Sequence, residues 1–187
     1  MHTNDQMTYE EFGRKFFETA VTEERVAGAV AQIAGDEFEM GPMGQGPGKI
    51  AKVTAKVKVK EPVVTRNLAD TISFAIRIPL AIDLIIDLLV DKQRFTVDGH
   101  IALRASAHAA EPLNLVIDVS RPRASDITVD VSSTSLRGEV LRIVAGVDGE
   151  IRRFVSKYVA GEISNPKSQD VQTIDVAHLI DSAWDSM

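Results

Sequence analysis

The chain has 187 residues, a net charge of −6 at neutral pH and an apolar fraction of 44%. This length and composition are typical of one globular domain with a hydrophobic core, so we expect a single domain over residues 1–187. The negative charge argues against general nucleic-acid binding, which needs a basic field. Cysteine is absent, which excludes disulfides, a thiolate nucleophile and a zinc–thiolate site.

The N-terminus carries no targeting signal that the sequence would reveal. Residues 1–9 are polar and lack the apolar stretch of a signal peptide. No uncharged run in the chain reaches the roughly 18 residues that a membrane-spanning helix needs. We therefore expect a soluble protein of the cytoplasm.

The first predicted element is a helix that begins at Thr8. Thr8 and Glu11 have the spacing of a capping box, and Met7 and Phe12 can add a hydrophobic staple. A roughly helical apolar face follows, although two glutamates interrupt it near its middle. The pattern predicts an N-terminal helical segment over residues 8–36, as either a single long helix or two shorter ones.

Strands are predicted after a glycine- and proline-rich stretch, residues 41–48, which we interpret as a loop. Alternation of apolar and polar residues, the period of a strand, recurs in five consecutive segments. The segments cover residues 53–60, 72–88, 95–104, 113–120 and 127–131. Since no helix is predicted between them, they indicate an antiparallel meander.

The segment 72–88 is the most informative of the five, because every even-numbered position in it is large and apolar. As a strand it would reach over about 50 Å, against a usual strand of about five or six residues. Pro79 within it belongs at an edge, a bulge or a bend. A helix over residues 79–91 is an alternative, since three aspartates recur there at four-residue spacing. We favour the strand, because the alternation begins earlier and stays in phase.

The C-terminal part is predicted to be mainly helical. Apolar residues recur at intervals of three and four over residues 136–163, the pattern of a long amphipathic helix. Asn165 and Pro166 should end it. A short strand over residues 173–176 and a last helical turn through Leu179, Ile180 and Trp184 complete the chain.

Over residues 50–180 this chain resembles the tubular lipid-binding (TULIP, BPI/SMP-like) superfamily. The resemblance rests on the order of these elements and on the pattern of their faces, including Ile174-Asp175-Val176 in the short strand. The resemblance implies an α+β fold in which a curled antiparallel β-meander wraps around a long C-terminal helix, with the N-terminal helix before it. It also implies an apolar interior that holds acyl chains or similar ligands.

The resemblance further implies which side chains line the elongated apolar groove. They are the inward faces of two long strands, a shorter strand and the long helix: Phe74, Ile76, Ile78, Leu80, Ile82, Leu84, Ile101, Leu103, Leu115, Ile117, Val144, Val147 and Ile151. The predicted function is that of a binding or carrier protein for a lipid or lipid-like metabolite, with no catalysis, no metal and no cofactor.

The polar residues offer no convincing catalytic constellation. His108 and Glu111, which we expect in a turn, lack further ligands at metal spacing. The serines before the long helix lack a nucleophile elbow, and Thr134 or Ser135 is better interpreted as a helix N-cap. Asp83 and Asp87 would be separated by roughly 13 Å on a strand, too far for a pair of catalytic carboxylates.

A run of lysines has two interpretations. The residues are Lys49, Lys52, Lys56, Lys58 and Lys60. They could contact an anionic headgroup or an acidic partner, but lysine on a solvated edge strand is the favoured interpretation. Membrane contact is therefore possible but not favoured.

Two other functions stay open. An enzyme such as a cyclase or isomerase could act on a greasy intermediate in the same cavity, which would need an ionisable group pointing inward. A homo-oligomeric module, for example a homodimer, would cover apolar residues such as Ile85, Leu89 and Val116 with a second copy.

Overall fold

The computed structural model describes residues 6–45, 47–49, 51–89, 91–130 and 138–186, with the side chains of residues 47 and 138–145 left out. Four sequence predictions lie outside this description. They are the N-cap at Thr134 or Ser135, the start of the long helix at Leu136, the end of a strand at Val131, and the side chain of Val144.

The described residues form a mixed α+β fold of five α-helices and a curled half-barrel of eight antiparallel strands, which confirms the predicted fold class. The elements in chain order are α1 (Tyr9–Ala20), α2 (Glu23–Ala34), β1 (Glu37–Gln45), β2 (Ala51–Val59), β3 (Val63–Leu68), β4 (Ile72–Asp87), β5 (Lys92–Ala110), β6 (Asn114–Val119), β7 (Ile127–Asp130), α3 (Gly138–Ile163), α4 (Pro166–Gln172), β8 (Thr173–Asp175) and α5 (Val176–Asp185).

The N-terminal segment is two helices. The predicted capping box is confirmed: the Glu11 N–H donates to Thr8 Oγ1 at 3.2 Å, and the Thr8 N–H donates to Glu11 Oε2 at 2.9 Å. A second cap then separates α1 from α2, because the Arg25 N–H donates to Thr22 Oγ1 at 3.3 Å. The buried Val21 lies between the two helices and fixes the corner to the core.

We expect Thr8→Ala to destabilise α1 by about 1 kcal/mol, because it removes the side-chain acceptor for the first turn. Hydrogen exchange should show faster exchange of the α1 amides and unchanged exchange in α2. The bond from the Thr8 backbone lowers the pKa of Glu11 below its usual 4.5. The stabilisation from this bond between the Thr8 N–H and the Glu11 carboxylate is therefore present above pH 4.5 and is lost as the pH falls through the lowered pKa. Equal exchange rates in α1 of both proteins would contradict this account of the cap.

β4 and β5 form the centre of the sheet. They pair without a break from Ile72–Ala107 to Asp87–Lys92. The strands follow the order β1-β2-β4-β5-β6-β8, with β3 also paired to β4 and β7 also paired to β5. The long strand predicted over residues 72–88 is confirmed, and the helix alternative over residues 79–91 is wrong, since its residues up to Asp87 are strand.

Pro79 lies where β4 changes one of its neighbours. β2 pairs with β4 as far as Leu80, and β3 takes over from Arg77. The missing N–H of the proline therefore falls in the gap between two partner strands, where the ladder needs no donor. Its carbonyl still accepts a 2.9 Å hydrogen bond from the Lys60 N–H.

The loop predicted over residues 41–48 is wrong for its first half, because β1 continues to Gln45 and pairs with β2. A register shift between Met40 and Met43 accommodates the Gly-Pro step as a bulge. Gly41 has a φ of 108°, and a Cβ there would lie 2.6 Å from the Val53 carbonyl oxygen. Glycine is thus required by the bulge and does not mark the end of a strand.

Three elements are absent from the sequence prediction, and the first is β1, part of which was predicted as a loop. β3 extends the sheet beside β4, and α4 begins at Pro166, immediately after the long helix. Asn165 ends one helix and caps the next, since its Oδ1 accepts the Lys167 N–H at 3.2 Å. Pro166 suits the first turn of α4, because an N–H at this position would have no partner within the helix and proline has none.

The core lies between the inner face of the sheet and the helices α2 and α3. α3 contributes a buried stripe, and α2 adds a second: Val147, Ile151, Val155, Val159 and Ile163 from α3, and Val26, Val30, Ile33 and Ala34 from α2. Phe38 of β1 stacks on Tyr158 of α3 with ring centroids 4.1 Å apart. The curled sheet therefore holds the long helix on its inner face, as the sequence predicts.

Candidate functional site

The predicted lining residues lie together in this core. The twelve with described side chains are at most 6% exposed. Close to Ile78 and Leu103, where the sheet meets α2 and α3, the void is about 10 Å³, which is at the lower limit for a single water molecule. A ligand among these side chains would have to separate the helix from the sheet, so their role in ligand binding stays a prediction.

A larger apolar concavity lies at one end of the sheet, between α1, the β5–β6 turn and α5. We call it the apolar groove, and its volume is about 670 Å³. Its lining residues are Phe12, Gly13, Phe16, Phe17, Ala109, Ala110, Glu111, Pro112, Leu113, Asn114, Leu115, Val176 and Ile180. Leu115, on its floor, is the predicted lining residue that also belongs to this groove.

The first wall of the groove is the aromatic face of α1. Phe12 and Phe16, one helical turn apart, stack with ring centroids 6.4 Å apart, and Phe17 meets Phe16 edge to face at 6.3 Å. Phe12 is 61% exposed and Phe16 is 37% exposed. These rings therefore present apolar surface to the groove and to solvent, while Phe17 packs against the core.

The opposite wall comes from the β5–β6 turn and α5. β8 pairs with β6 through Asn114–Asp175 and Leu115–Ile174, and the Val176 N–H donates to the Leu113 carbonyl at 3.0 Å. Asp175 then caps α5 by accepting the His178 N–H at 2.9 Å. These bonds fix the start of α5 against the turn, so that Ile180 faces the groove one turn later.

α1 is held at its C-terminal end. Arg66 Nη1 of β3 donates to the carbonyl oxygens of Glu18 at 2.7 Å and Val21 at 2.9 Å. Arg25 Nη1 donates to the Ala20 carbonyl at 2.7 Å. Two arginines thus satisfy the carbonyls that the end of the helix leaves free. The anchored end positions the aromatic half of α1 over the β5–β6 turn.

The groove has the size of a small-molecule site and a mainly apolar lining. Its volume lies within the usual range for small-molecule sites, about 300–1,000 Å³, and Glu111 is the one ionisable residue among its described lining residues. His108 lies on β5 and not in a turn, which corrects the prediction, whereas Glu111 is in the turn. Over the ranges that the structure describes, no cluster of three or more His, Asp or Glu could hold a metal ion.

Sequence reasoning missed the groove because its residues come from three parts of the chain. The aromatic face of α1 was visible as a helical stripe, and Ile180 as part of the last helical turn. The signal in the sequence is that the apolar residues of α1 share one face, and the structure shows that this helix has no buried residue. Such a face needs a partner or a ligand.

Three of the five lysines of the run are paired with neighbouring carboxylates. Most of the run lies on β2, which pairs with both β1 and β4, so the prediction of an edge strand is wrong. Three ion pairs, measured from Nζ to a carboxylate oxygen, are Lys56–Glu37 at 2.9 Å, Lys58–Asp83 at 3.2 Å and Lys60–Asp98 at 3.6 Å. The hydrogen bond to Glu37 raises the pKa of Lys56. Asp83 also accepts the Thr96 hydroxyl at 2.8 Å, and this bond is the main reason that its pKa is lowered. The stripe therefore presents little unbalanced positive charge.

We expect weak or absent binding to vesicles that contain phosphatidylserine. Lys56, Lys58 and Lys60 already have carboxylate partners, and exposed charges are screened within about 10 Å at 0.1 M salt. Changing Lys52, Lys56, Lys58 and Lys60 to glutamine should leave sedimentation with vesicles unchanged. Strong, salt-sensitive binding that this variant loses would show that the strand docks on membranes.

No helix in the described ranges is both long and apolar enough to cross a bilayer.

The apolar residues considered for a homodimer do not form one patch. Ile85 lies opposite Arg94 of β5, near the end of β4. Leu89 follows two residues after the end of β4 and is 77% exposed. Val116 lies opposite His108. Arg94 and His108, the β5 partners of Ile85 and Val116, are 14 residues apart, or about 46 Å along the strand. A second copy would have to cover both ends of the sheet.

Comparison with known proteins gives matches among solved structures. No protein-family model matches this chain, and no curated protein matches it. Its structure is similar to that of a lipopolysaccharide binding protein with a TM-score of 0.45 and 13% sequence identity, over 86% of this chain. This chain spans 38% of the length of that protein. A likeness at this level carries no functional argument, and membership of the tubular lipid-binding superfamily stays a prediction.

Proposed function

We propose that this protein binds a hydrophobic small molecule, a lipid or a lipid-like metabolite, in the apolar groove and acts as its carrier. The observation that carries the proposal is the groove itself. Three elements converge on a concavity of about 670 Å³ whose walls are aromatic and aliphatic. Large exposed apolar residues border it, including Phe12, Leu113 and Ile180. Surfaces of this kind are uncommon on monomers unless they bind something.

The energy of such binding comes from removing the ligand's hydrocarbon from water. Each buried methylene contributes about 0.8 kcal/mol, so ten contribute about 8 kcal/mol before ordering costs. Micromolar affinity corresponds to about 8 kcal/mol. Affinity should therefore rise with chain length and depend little on the chemistry of the chain.

The polar end of the ligand should be uncharged. Glu111 lies in the groove lining with Asn114, whose side-chain amide donates to the Glu111 carbonyl at 3.3 Å. A carboxylate at this position repels an anionic headgroup, since like charges brought close together are unfavourable. A monoacylglycerol or a fatty alcohol therefore suits the groove better than a fatty acid.

Native mass spectrometry of the purified protein tests this function. We expect either a stoichiometric adduct that organic extraction removes or, after extraction, a one-to-one complex with added monooleoylglycerol. An apo protein that forms no complex with monooleoylglycerol at micromolar concentrations would contradict the proposal.

A further inference from the structure

A second concavity, of about 820 Å³, lies on the outward face of the sheet. It is bordered by β3, β4, β5 and the segment 120–126. We call it the basic pocket and define it by Arg77, His100, Arg104, Arg121 and Arg123. It shares no lining residue with the apolar groove.

The register of β4 and β5 places two arginines around a floor of small side chains. Arg77 pairs with Ala102, and Ala75 pairs with Arg104. All four side chains are on the outward face, and the arginines occupy diagonal positions, about 7–8 Å apart at their Cα atoms. The two alanines leave room between the guanidinium groups.

The segment after β6 adds two more arginines. Pro122 is buried, whereas its neighbours Arg121 and Arg123 are exposed. The Ser120 N–H donates to the Arg104 carbonyl at 2.8 Å. Arg104 lies between the part of β5 that pairs with β7, residues 98–101, and the part that pairs with β6, residues 105–110. This bond holds the segment against the sheet edge, so that both arginines border the concavity.

The four arginines are not neutralised. Within the described part of the chain, none of them forms an ion pair with a carboxylate, whereas lysines such as Lys56 and Lys60 do. Asp126 is the acidic residue in the lining, and its carboxylate accepts the Arg123 backbone N–H at 2.7 Å. Four guanidinium groups around one concavity, in a chain with a net charge of −6, form a local positive field that an anion can neutralise.

His100 adds a neutral polar group to the pocket. Its Nδ1 lies 3.3 Å from Arg77 Nη2. Burial, and then the charge of Arg77, lower the pKa of His100. The lowered pKa favours the uncharged ring, and the tautomer with an unprotonated Nδ1 can accept a hydrogen bond that orients the Arg77 guanidinium.

We propose that the basic pocket binds a soluble small molecule that carries phosphate groups with at least two negative charges. Guanidinium groups bind phosphate oxygens in bidentate geometry, which suits several arginines around one anion. The site is concave, and the negative net charge of the chain opposes extended polyanions and anionic membranes. The alanine floor can accommodate a non-polar or planar part of the ligand.

Isothermal titration calorimetry with inorganic pyrophosphate tests the site. We expect binding by the wild type that weakens with salt and about three- to tenfold weaker affinity in Arg104→Gln and in Arg121→Gln. Arg94→Gln is the matched control, because Arg94 is exposed on the same face of the same strand, about 33 Å from Arg104. Its affinity should equal that of the wild type.

Histidine ring signals in NMR spectra provide a readout that does not need a variant. Pyrophosphate should shift the signals of His100 and leave those of His108 and His178 in place, since these two lie outside the basic pocket. No binding, equal weakening in Arg94→Gln, or a shift confined to the other histidines would overturn the proposal. Binding to phosphatidylserine vesicles without binding to pyrophosphate would also overturn it, because the ligand would then be a lipid surface.

Discussion

Replacing Ile82 with alanine is expected to lower the free energy of unfolding by about 2–5 kcal/mol. Ile82 is at the centre of β4, fully buried between the sheet and the helices. Removing its side chain loses apolar burial and leaves a cavity in a packed interior, and both effects destabilise the folded state. Urea denaturation followed by circular dichroism measures this change.

Ile85→Ala is the matched control for this prediction. Ile85 has the same side chain in the same strand but points outward and is half-buried, so its loss should cost much less. Binding of monooleoylglycerol should be the same in Ile82→Ala as in the wild type under conditions where both are folded. A small stability loss combined with a large loss of affinity would instead support a ligand among the residues that the sequence predicts as the lining.

Gly13→Trp is expected to weaken monooleoylglycerol binding about tenfold or more. Gly13 lines the apolar groove, and a Cβ at this position would meet no atom within 4 Å. An indole ring there would occupy space that the ligand needs, and the loss of two buried methylenes of ligand already corresponds to about tenfold. The helix should be retained, because glycine is the less favourable residue in a helix interior. A fluorescence titration with monooleoylglycerol gives the affinities of the Gly13→Trp variant and of the wild type.

Gly28→Trp provides the comparison. Gly28 is also inside a helix, and a Cβ added to it would likewise meet no atom within 4 Å. It is exposed on α2, away from the groove. The Gly28→Trp variant should therefore bind monooleoylglycerol as tightly as the wild type. Equal affinity of Gly13→Trp and the wild type would exclude the apolar groove as the binding site.

The alternation in residues 72–88 was sufficient to predict β4. Only a strand places every second side chain on the same face, and β4 does so over sixteen residues. The capping box at Thr8 likewise predicted the start of α1, since both of its hydrogen bonds are local. The glycines and prolines of β1 misled the prediction. Their conformations depend on the register with β2, where Gly41 approaches the Val53 carbonyl, and such a contact is not encoded in local composition.

The candidate sites were harder to predict than the fold. Apolar residues of β4 and β5 are visible as a continuous face, but the sequence does not tell a packed face from a face that lines a cavity. The apolar groove combines α1, the β5–β6 turn and α5, and the basic pocket combines Arg77 and Arg104 with Arg121 and Arg123. In both, the strand register and the path of a connecting segment bring distant residues together.

Photo-crosslinking tests the central claim, that the ligand lies in the apolar groove, most directly. A monoacylglycerol with a diazirine in the middle of its acyl chain is bound and irradiated, and the modified peptides are identified by mass spectrometry. We expect modification in α1, the β5–β6 turn and α5, and its loss in Gly13→Trp. Modification confined to the buried faces of β4 and α3 would contradict the account and place the ligand between the sheet and the long helix.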